Sequence, residues 1–190
     1  MIPPESSSSP SSRPSHRLLE RLAAVLSALI LGALLPPAEA APVIACEAGS
    51  RNLAVYRQIH EVLFMQRDVT RIAEFYAPEL ISHNNDAGGD GARRVTHAQL
   101  AAIWAASKRD TPDRRLDDEL ILCAGEFVIV RTRIASRDTT GVAGHPPTGR
   151  SFRITAIDIY RFEDGKVVER WGNADLASQY AQLGYVLAPR

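Results

Sequence analysis

The stretch that decides the fold is FRITAIDIYRFEDGKVVERWGN, residues 152–173. Its centre, Glu163-Asp164-Gly165-Lys166, predicts a tight turn between two antiparallel strands, 152–162 and 167–173. Side chains alternate between the two faces of a strand, so one face of the first strand carries Asp158 together with five apolar residues. Those five are Phe152, Ile154, Ala156, Tyr160 and Phe162.

Asp158 is the most informative single residue in this stretch. A carboxylate among aromatic and aliphatic side chains is costly unless it is paired, and desolvation raises the pKa of such a group. One interpretation is that Asp158 is a general acid or base. The other is that a covering helix supplies a hydrogen-bond donor and Asp158 does no chemistry.

The rest of the chain supplies the layers around this hairpin. Apolar spacing predicts amphipathic helices over 52–64 and 68–76, and a third helix that begins at Thr96 and ends before Pro112. Strands are predicted over 116–124 and 127–135, joined at Gly125-Glu126, and a last helix over 176–183. Helices first and an antiparallel sheet second is an α+β arrangement, with the helices covering one face of the sheet.

Four other side chains are candidates for the same site. His83, at the mouth of a glycine-rich loop, is either a polarising or proton-shuttling group or a solvent-facing histidine. His145, in a loop with two prolines, is either a lid residue or part of a surface turn. Tyr160 and Trp171 are candidate pocket walls, although Trp171 is equally suited to pack the last strand against a helix.

Composition argues against several other functions. The chain has 22 basic and 22 acidic residues, and without a basic cluster it has no electrostatic footprint for nucleic acid. Arg131 and Arg133 are expected to pair with the acidic residues at 117–119 across the hairpin. The histidines lack metal-site spacing, and no phosphate-binding loop or nucleophile elbow is present, so no metal or cofactor is predicted.

The first forty residues predict an export signal. A polar segment with three arginines, the apolar run 22–35 and the sequence Ala38-Glu39-Ala40 are the three parts of a cleaved secretory signal. Fourteen apolar residues span only about 21 Å, short of a bilayer core of about 30 Å, which disfavours a membrane anchor. We therefore expect an exported protein, periplasmic or secreted, with no transmembrane anchor after cleavage.

Two cysteines follow the signal. Cys46 and Cys123 either form a disulfide in an oxidising compartment, or Cys123 is a buried small hydrophobe. A minority interpretation treats Val43-Ile44-Ala45-Cys46 as a lipoprotein box with Cys46 as the lipidated residue.

An ordered series of motifs in the C-terminal half resembles the SnoaL-like polyketide cyclases, often labelled ester cyclases, of the nuclear-transport-factor-2-like superfamily. The motifs are PPTGR (146–150), DIYRFEDGK (158–166), ERW (169–171), Asp175 and QLG (182–184). The resemblance implies a cone-shaped, curved antiparallel sheet wrapped over N-terminal helices, as in ketosteroid isomerase and scytalone dehydratase. It also implies an apolar pocket, a homodimer, and no metal or cofactor. The predicted organisation is a signal at 1–40, a tail at 41–50 and the domain at 51–187.

The resemblance further implies acid–base chemistry on a ketone or ester. His83 and Asp158 match positions that carry polar pocket residues in the family. The acid/base aspartate of characterised cyclases lies three residues before the match to Asp175, and here that position is Gly172. Either Asp158 has taken over the role, or the protein does not cyclise polyketides.

Three hypotheses follow. The first is a cofactor-free cyclase or isomerase acting on a small apolar carbonyl compound, with Asp158 as base and His83 as polariser. The second is a non-catalytic carrier that binds an apolar ligand in the same pocket. The third is a scaffold whose sheet binds a protein partner.

Overall fold

Seven strands form one curved, open sheet in the computed structural model, which describes residues 41–83, 91–142 and 144–185. The strands are β1 (Val43–Ala45), β2 (Tyr76–Ser82), β3 (Arg93–Thr96), β4 (Arg115–Ala124), β5 (Phe127–Arg137), β6 (Ser151–Glu163) and β7 (Lys166–Ala174). Their order in the sheet is β1-β4-β5-β6-β7-β2-β3. The β1–β4 and β2–β7 pairs are parallel and the others antiparallel. The predicted signal segment lies outside the described residues.

Helices pack against this sheet. They are α1 (Arg51–Gln58), α2 (Ile72–Phe75), α3 (His97–Asp110) and α4 (Leu176–Leu183). The chain continues from α1 as a wider π-helical segment, Ile59–Met65, and a short 3-10 turn, Val69–Arg71, precedes α2. Helix α3 begins with the predicted capping box between Thr96 and Gln99. No helix in the described part of the chain is long and apolar enough to cross a membrane.

The predicted α+β fold is confirmed, with three strands, β1, β2 and β3, in places where the sequence suggested none. The second helix is shorter than expected, because Val69–Arg71 forms a 3-10 turn before it and the chain becomes extended at Tyr76 and continues as β2. Pro78 sits in this strand where the ladder to β7 is interrupted, between Tyr76 and Ile81. A proline cannot donate to a ladder, so such an interruption is a position that tolerates it. Strand β3 is only four residues long, too short for a periodic signal.

The alternation along β6 is as predicted. Phe152, Ile154, Ala156, Tyr160 and Phe162 are buried, at most 7% exposed. The side chain of Asp158 is 14% exposed and lies on this inner face. Helix α1 and its π-helical continuation supply further core residues, among them Ile59 and Leu63. The inner face of the sheet is therefore closed by helices, as their apolar stripes require.

The two cysteines form a disulfide across 77 positions of the sequence. The bond connects the end of β1 to β4, where Ala45 pairs with Leu122. Cys46 Sγ is consumed by this bond, so the same sulfur cannot carry a lipid thioether. The lipoprotein interpretation is thus inconsistent with the structure.

Candidate active site

A cavity of about 120 Å³ lies between the inner face of the sheet and the helices. Its walls come from the π-helical segment Ile59–Met65, from α3, from two loop arginines and from four strands of the sheet. The lining residues are His60, Leu63, Phe64, Arg67, Trp104, Ser107, Arg114, Leu116, Thr132, Ile134, Ala156, Asp158, Tyr160 and Arg170. Apolar and aromatic walls with a few convergent polar groups are the usual composition of a small-molecule site.

Asp158 is part of this cavity and is paired with Arg170 on β7. Two N–H groups of the guanidinium, on Nε and Nη2, donate to the same oxygen, Asp158 Oδ1, at 3.1 and 2.6 Å. Among the described residues none donates to Oδ2. The donor comes from the neighbouring strand, not from a covering helix as one interpretation of the sequence supposed. Burial opposes the charge of Arg170, but Asp158 outweighs it and raises the pKa of Arg170 above its ordinary value.

The position opposite Asp158 in the sheet is Gly172. Directly paired residues on antiparallel strands place their side chains next to each other on one face. The carboxylate of Asp158 therefore stands beside the position where the resemblance expects an aspartate.

A second polar group joins His60, which lines the cavity, to Asp118, which lies behind it and does not line the cavity. His60 Nε2 is buried without a hydrogen bond in the described structure and lies 3.7 Å from Asp118 Oδ2. Tyr56 Oη donates to that same oxygen at 2.9 Å, and Thr132 Oγ1 donates to Oδ1 at 2.8 Å. Burial raises the pKa of Tyr56, so its phenol stays a donor. The arrangement holds Asp118 rigidly beside an imidazole that lines the cavity.

Two further arginines, Arg67 and Arg114, line the cavity. Arg67 Nη1 donates to the carbonyl oxygen of Lys108 at 3.3 Å, and Arg114 Nη1 donates to Ser107 Oγ at 3.0 Å. Arg67 Nη2 and Arg114 Nε are buried and find no acceptor among the described residues. Burial, together with the positive charges of Arg67 and Arg170, lowers the pKa of Arg114 to about 10.

Tyr160 is the predicted wall residue that the structure brings beside Asp158. It is 1% exposed and lines the cavity, and the Arg170 guanidinium carbon lies 5.7 Å from its ring centre. Burial raises the pKa of Tyr160, and the nearby charge of Asp158 adds to the effect. The phenol is therefore protonated at neutral pH and available as a hydrogen-bond donor.

His83 and Trp171 lie on the opposite, outer face of the sheet. Arg170 points inward, so its neighbours Glu169 and Trp171 point outward. His83 Nε2 is 2.7 Å from Glu169 Oε1, and the His83 ring stacks on Trp171 with 4.7 Å between centres. Neither residue lines the cavity, so the structure does not bring His83 together with Asp158. The hydrogen bond from His83 is the main cause that lowers the pKa of Glu169.

His145 also lies away from the cavity. Its ring stacks on Tyr185 with 4.3 Å between centres, in the loop between β5 and β6. Arg131 and Arg133, in contrast, behave as predicted: both pair with Glu119 on the neighbouring strand.

Sequence reasoning missed four cavity residues: His60, Arg67, Arg114 and Arg170. His60 lies on the α1 continuation one position after the buried Ile59, so its place beside an apolar stripe was a weak available signal. Alternation along 167–173 could have placed Arg170 on the same face as Gly172. Arg67 lies in the loop after the π-helical segment and Arg114 in the loop before β4, where no periodicity applies. Among the described residues no three metal-ligating side chains cluster.

The fold and the cavity together define a class of protein: a small α+β domain whose curved sheet and covering helices enclose a ligand-sized hollow. Comparison with known families narrows this class. The family model for SnoaL-like polyketide cyclases matches residues 54–183, and the chain belongs to that family. No curated protein matches the chain at a significant level.

Solved structures agree with this assignment. Wild-type IdmH, a putative polyketide cyclase from Streptomyces antibioticus, is 26% identical with a TM-score of 0.62, covering 70% of this chain and 98% of IdmH. A putative polyketide cyclase from Acidithiobacillus ferrooxidans is 16% identical with a TM-score of 0.64, covering 73% and 98% of the two chains. A putative SnoaL-like polyketide cyclase from Jannaschia is 18% identical with a TM-score of 0.63, covering 74% and 94%. The last two likenesses support the fold alone.

Proposed function

We propose that this protein is a cofactor-free acid–base catalyst of the cyclase or isomerase type, acting on a small carbonyl compound in the cavity. The observation that carries the proposal is the inward-facing carboxylate of Asp158, held through one oxygen by Arg170 and directly opposite Gly172. A carboxyl group accepts a proton only in its ionised form, and Arg170 places an opposite charge against Asp158, with Nη2 2.6 Å from Oδ1. The arrangement supports the view that Asp158 replaces the aspartate missing at Gly172.

The chemical step uses Asp158 Oδ2, the oxygen that Arg170 leaves free. The base removes a proton from the carbon next to the substrate carbonyl, and the electron pair of the broken C–H bond moves onto the carbonyl oxygen. Donors aimed at that oxygen stabilise the enolate. Tyr160 is protonated and lines the same cavity, so its hydroxyl supplies such a donor. Tyr160 thus takes the role of polariser that was predicted from the sequence for His83. The enolate carbon then attacks a second carbonyl or regains the proton elsewhere.

His60 serves as the second proton-transfer group in this proposal. Its buried Nε2 and its neighbour Asp118 form an imidazole–carboxylate pair on the helix side of the cavity. A site with two titratable groups in different environments can assign one as base and the other as acid. Asp158 takes the first role and His60 the second.

Proton exchange tests the assignment of Asp158. We expect the wild-type protein to accelerate exchange of the α-protons of phenylacetone or 2-tetralone in D2O, followed by proton NMR. Asp158→Asn keeps the shape of the side chain but removes the base, and we expect the rate to fall by about 100-fold or more. Full exchange activity in Asp158→Asn would exclude Asp158 as the base.

The matched control is Asp164→Asn. Asp164 lies in the exposed β6–β7 turn with φ of 50°, a conformation that asparagine tolerates. This change removes the same charge without touching the cavity, and exchange is expected to stay at the wild-type rate. A wild type that binds ketones without exchanging their protons would instead indicate a carrier.

Export and dimerisation are further parts of the proposal. The Cys46–Cys123 disulfide supports an oxidising compartment, in line with the predicted signal segment. The outer face of the sheet offers a surface for a second copy, because Ile129, Ile159 and Trp171 pair across three strands there and the neighbouring Ile157 is 50% exposed. Exposed apolar surface of this kind is typical of an interface.

A further inference from the structure

The charges that line the cavity do not balance. Three arginines, Arg67, Arg114 and Arg170, face one carboxylate, Asp158. The single acid is already engaged by Arg170. Two guanidinium groups, those of Arg67 and Arg114, therefore line the cavity without an acid of their own in it.

The other arginines near the sheet show how unusual this is. Arg161 is bonded to Glu169 at 2.9 Å, and Arg170 has Asp158. Arg114 makes no ion pair in the described structure, and its one hydrogen bond goes to a neutral hydroxyl. The negative charge of Asp113 raises the pKa of Arg67 and partly offsets burial. Asp113 Oδ1, however, already accepts hydrogen bonds from Ser136 Oγ and from the backbone N–H of Arg137.

Hydrogen-bond donors of the same two arginines have no acceptor in the described part of the chain. Arg67 Nη2 and Arg114 Nε are buried without an acceptor among the described residues. A buried N–H group without an acceptor is costly, and it is more costly on a charged group. The positive charges of Arg67 and Arg170, which line the same cavity, also lower the pKa of Arg114, so like charges oppose its guanidinium there. An anion between them would remove both costs.

The remaining walls indicate what kind of anion fits. Leu63, Phe64, Trp104, Leu116 and Ile134 surround the polar groups with aliphatic and aromatic surface. The volume of about 120 Å³ is similar in scale to apolar cavities of about 150 Å³ that accept benzene. A bare inorganic anion would make no use of this apolar surface. An organic acid contacts the apolar surface with its hydrocarbon part and the arginines with its carboxylate.

We infer that the cavity binds an organic carboxylate, with its apolar body against the aromatic walls and its carboxylate at Arg67 and Arg114. Guanidinium groups suit this task, since their N–H fork matches the geometry of a carboxylate. The inference rests on the cavity as the ligand site of the proposed function. It does not depend on proton abstraction by Asp158, and it would hold equally for a carrier.

Titration calorimetry with benzoate and its neutral isostere benzamide tests the inference. We expect wild-type protein to bind benzoate at least about tenfold more tightly than benzamide, and more tightly than inorganic phosphate. Arg114→Gln and Arg67→Gln should each weaken benzoate binding by about tenfold while leaving benzamide unchanged. Arg115→Gln is the matched control, because Arg115 is the next residue, is exposed at the start of β4 and does not line the cavity.

Three results would overturn the inference: benzamide binding as tightly as benzoate, phosphate binding as tightly as benzoate, or benzoate affinity surviving both cavity substitutions. Asp158→Asn separates this inference from the proposed function. It should abolish proton exchange and retain or improve benzoate binding, since it removes a negative charge from the cavity. If Asp158→Asn loses proton exchange but still binds benzoate, the result supports both the proposed function and the carboxylate site. If the wild-type protein exchanges protons but does not bind benzoate, the result overturns only the carboxylate site.

Discussion

Arg114 keeps a guanidinium charge in the protein interior with no carboxylate beside it. Its neighbours in the cavity, Arg67 and Arg170, carry the same sign, and Nε has no acceptor among the described residues. Folding must remove this group from water and place it near like charges, which costs free energy. Because Arg114 lowers the stability of the fold and lines the cavity, we infer that its contribution is to bind the ligand.

We therefore expect Arg114→Met to raise the free energy of unfolding by about 1 kcal/mol in the absence of ligand. Methionine keeps much of the aliphatic volume and removes the charge. Urea denaturation measures the change, and Arg115→Met, at the exposed neighbouring position, should stay within about 0.5 kcal/mol of wild type. A less stable Arg114→Met protein would mean that the arginine holds the structure together.

One buried acid, Asp138, organises the loop between β5 and β6. Asp138 is 1% exposed and accepts four hydrogen bonds. The backbone N–H of Gly141 donates to Oδ1; the N–H and hydroxyl of Thr148 and the hydroxyl of Tyr185 donate to Oδ2, all at 2.8–2.9 Å. Burial alone would raise the pKa of Asp138, but the hydrogen bonds from Thr148 outweigh it and lower the pKa below its ordinary value. The loop that carries His145 thus depends on the charged form of one side chain.

Asp138→Asn should lower the free energy of unfolding by about 1–3 kcal/mol at pH 7, because the amide nitrogen cannot accept a hydrogen bond. The folded pKa is depressed, so the stabilisation is present above the unfolded pKa of about 3.9 and is lost as the pH falls through the lower folded value. Denaturation at pH 7 and at pH 3 should show the difference between wild type and variant shrinking in acid. A difference that does not change with pH would argue that the charge of Asp138 is unimportant.

Tyr185→Phe is the companion to that experiment. It removes only one of the four donors to Asp138 and keeps the ring that stacks on His145. A smaller loss than that of Asp138→Asn is expected.

The disulfide acts on the whole molecule. It closes a segment of 77 positions and attaches the edge strand β1, whose residues are exposed, to β4. Only three residues of β1 pair with the sheet, so the covalent bond is the main reason that this strand stays in place. In the unfolded chain the same bond removes conformational freedom.

Replacing both cysteines, Cys46→Ser with Cys123→Ser, should lower the free energy of unfolding by about 3–4 kcal/mol, the value typical of a long closed loop. Reducing the wild type with dithiothreitol should produce a similar loss in a urea titration. The same reductant added to the double variant is the control and should change nothing. Equal stability of oxidised and reduced wild type would contradict the prediction.

The sequence alone determined the parts of this protein that depend on local periodicity. Alternation along 152–162 placed Asp158 on the inner face beside Tyr160, the turn at 163–166 paired β6 with β7, and the Thr96 capping box marked the start of α3. These signals lie within a few neighbouring residues, so the backbone repeat is enough to interpret them.

Only the tertiary structure decided the charge environment of the cavity. Arg170 reaches Asp158 because β6 and β7 pair in a particular register, and Arg67 and Arg114 meet there although 47 positions separate them in the chain. Sheet curvature and helix packing also set which side chains share a hollow. His83 lies on the outer face because its neighbour Ser82 pairs with the inward-facing Arg170. Local patterns predict on which face a side chain lies, but which charges meet depends on contacts between distant segments, and those form only when the chain folds.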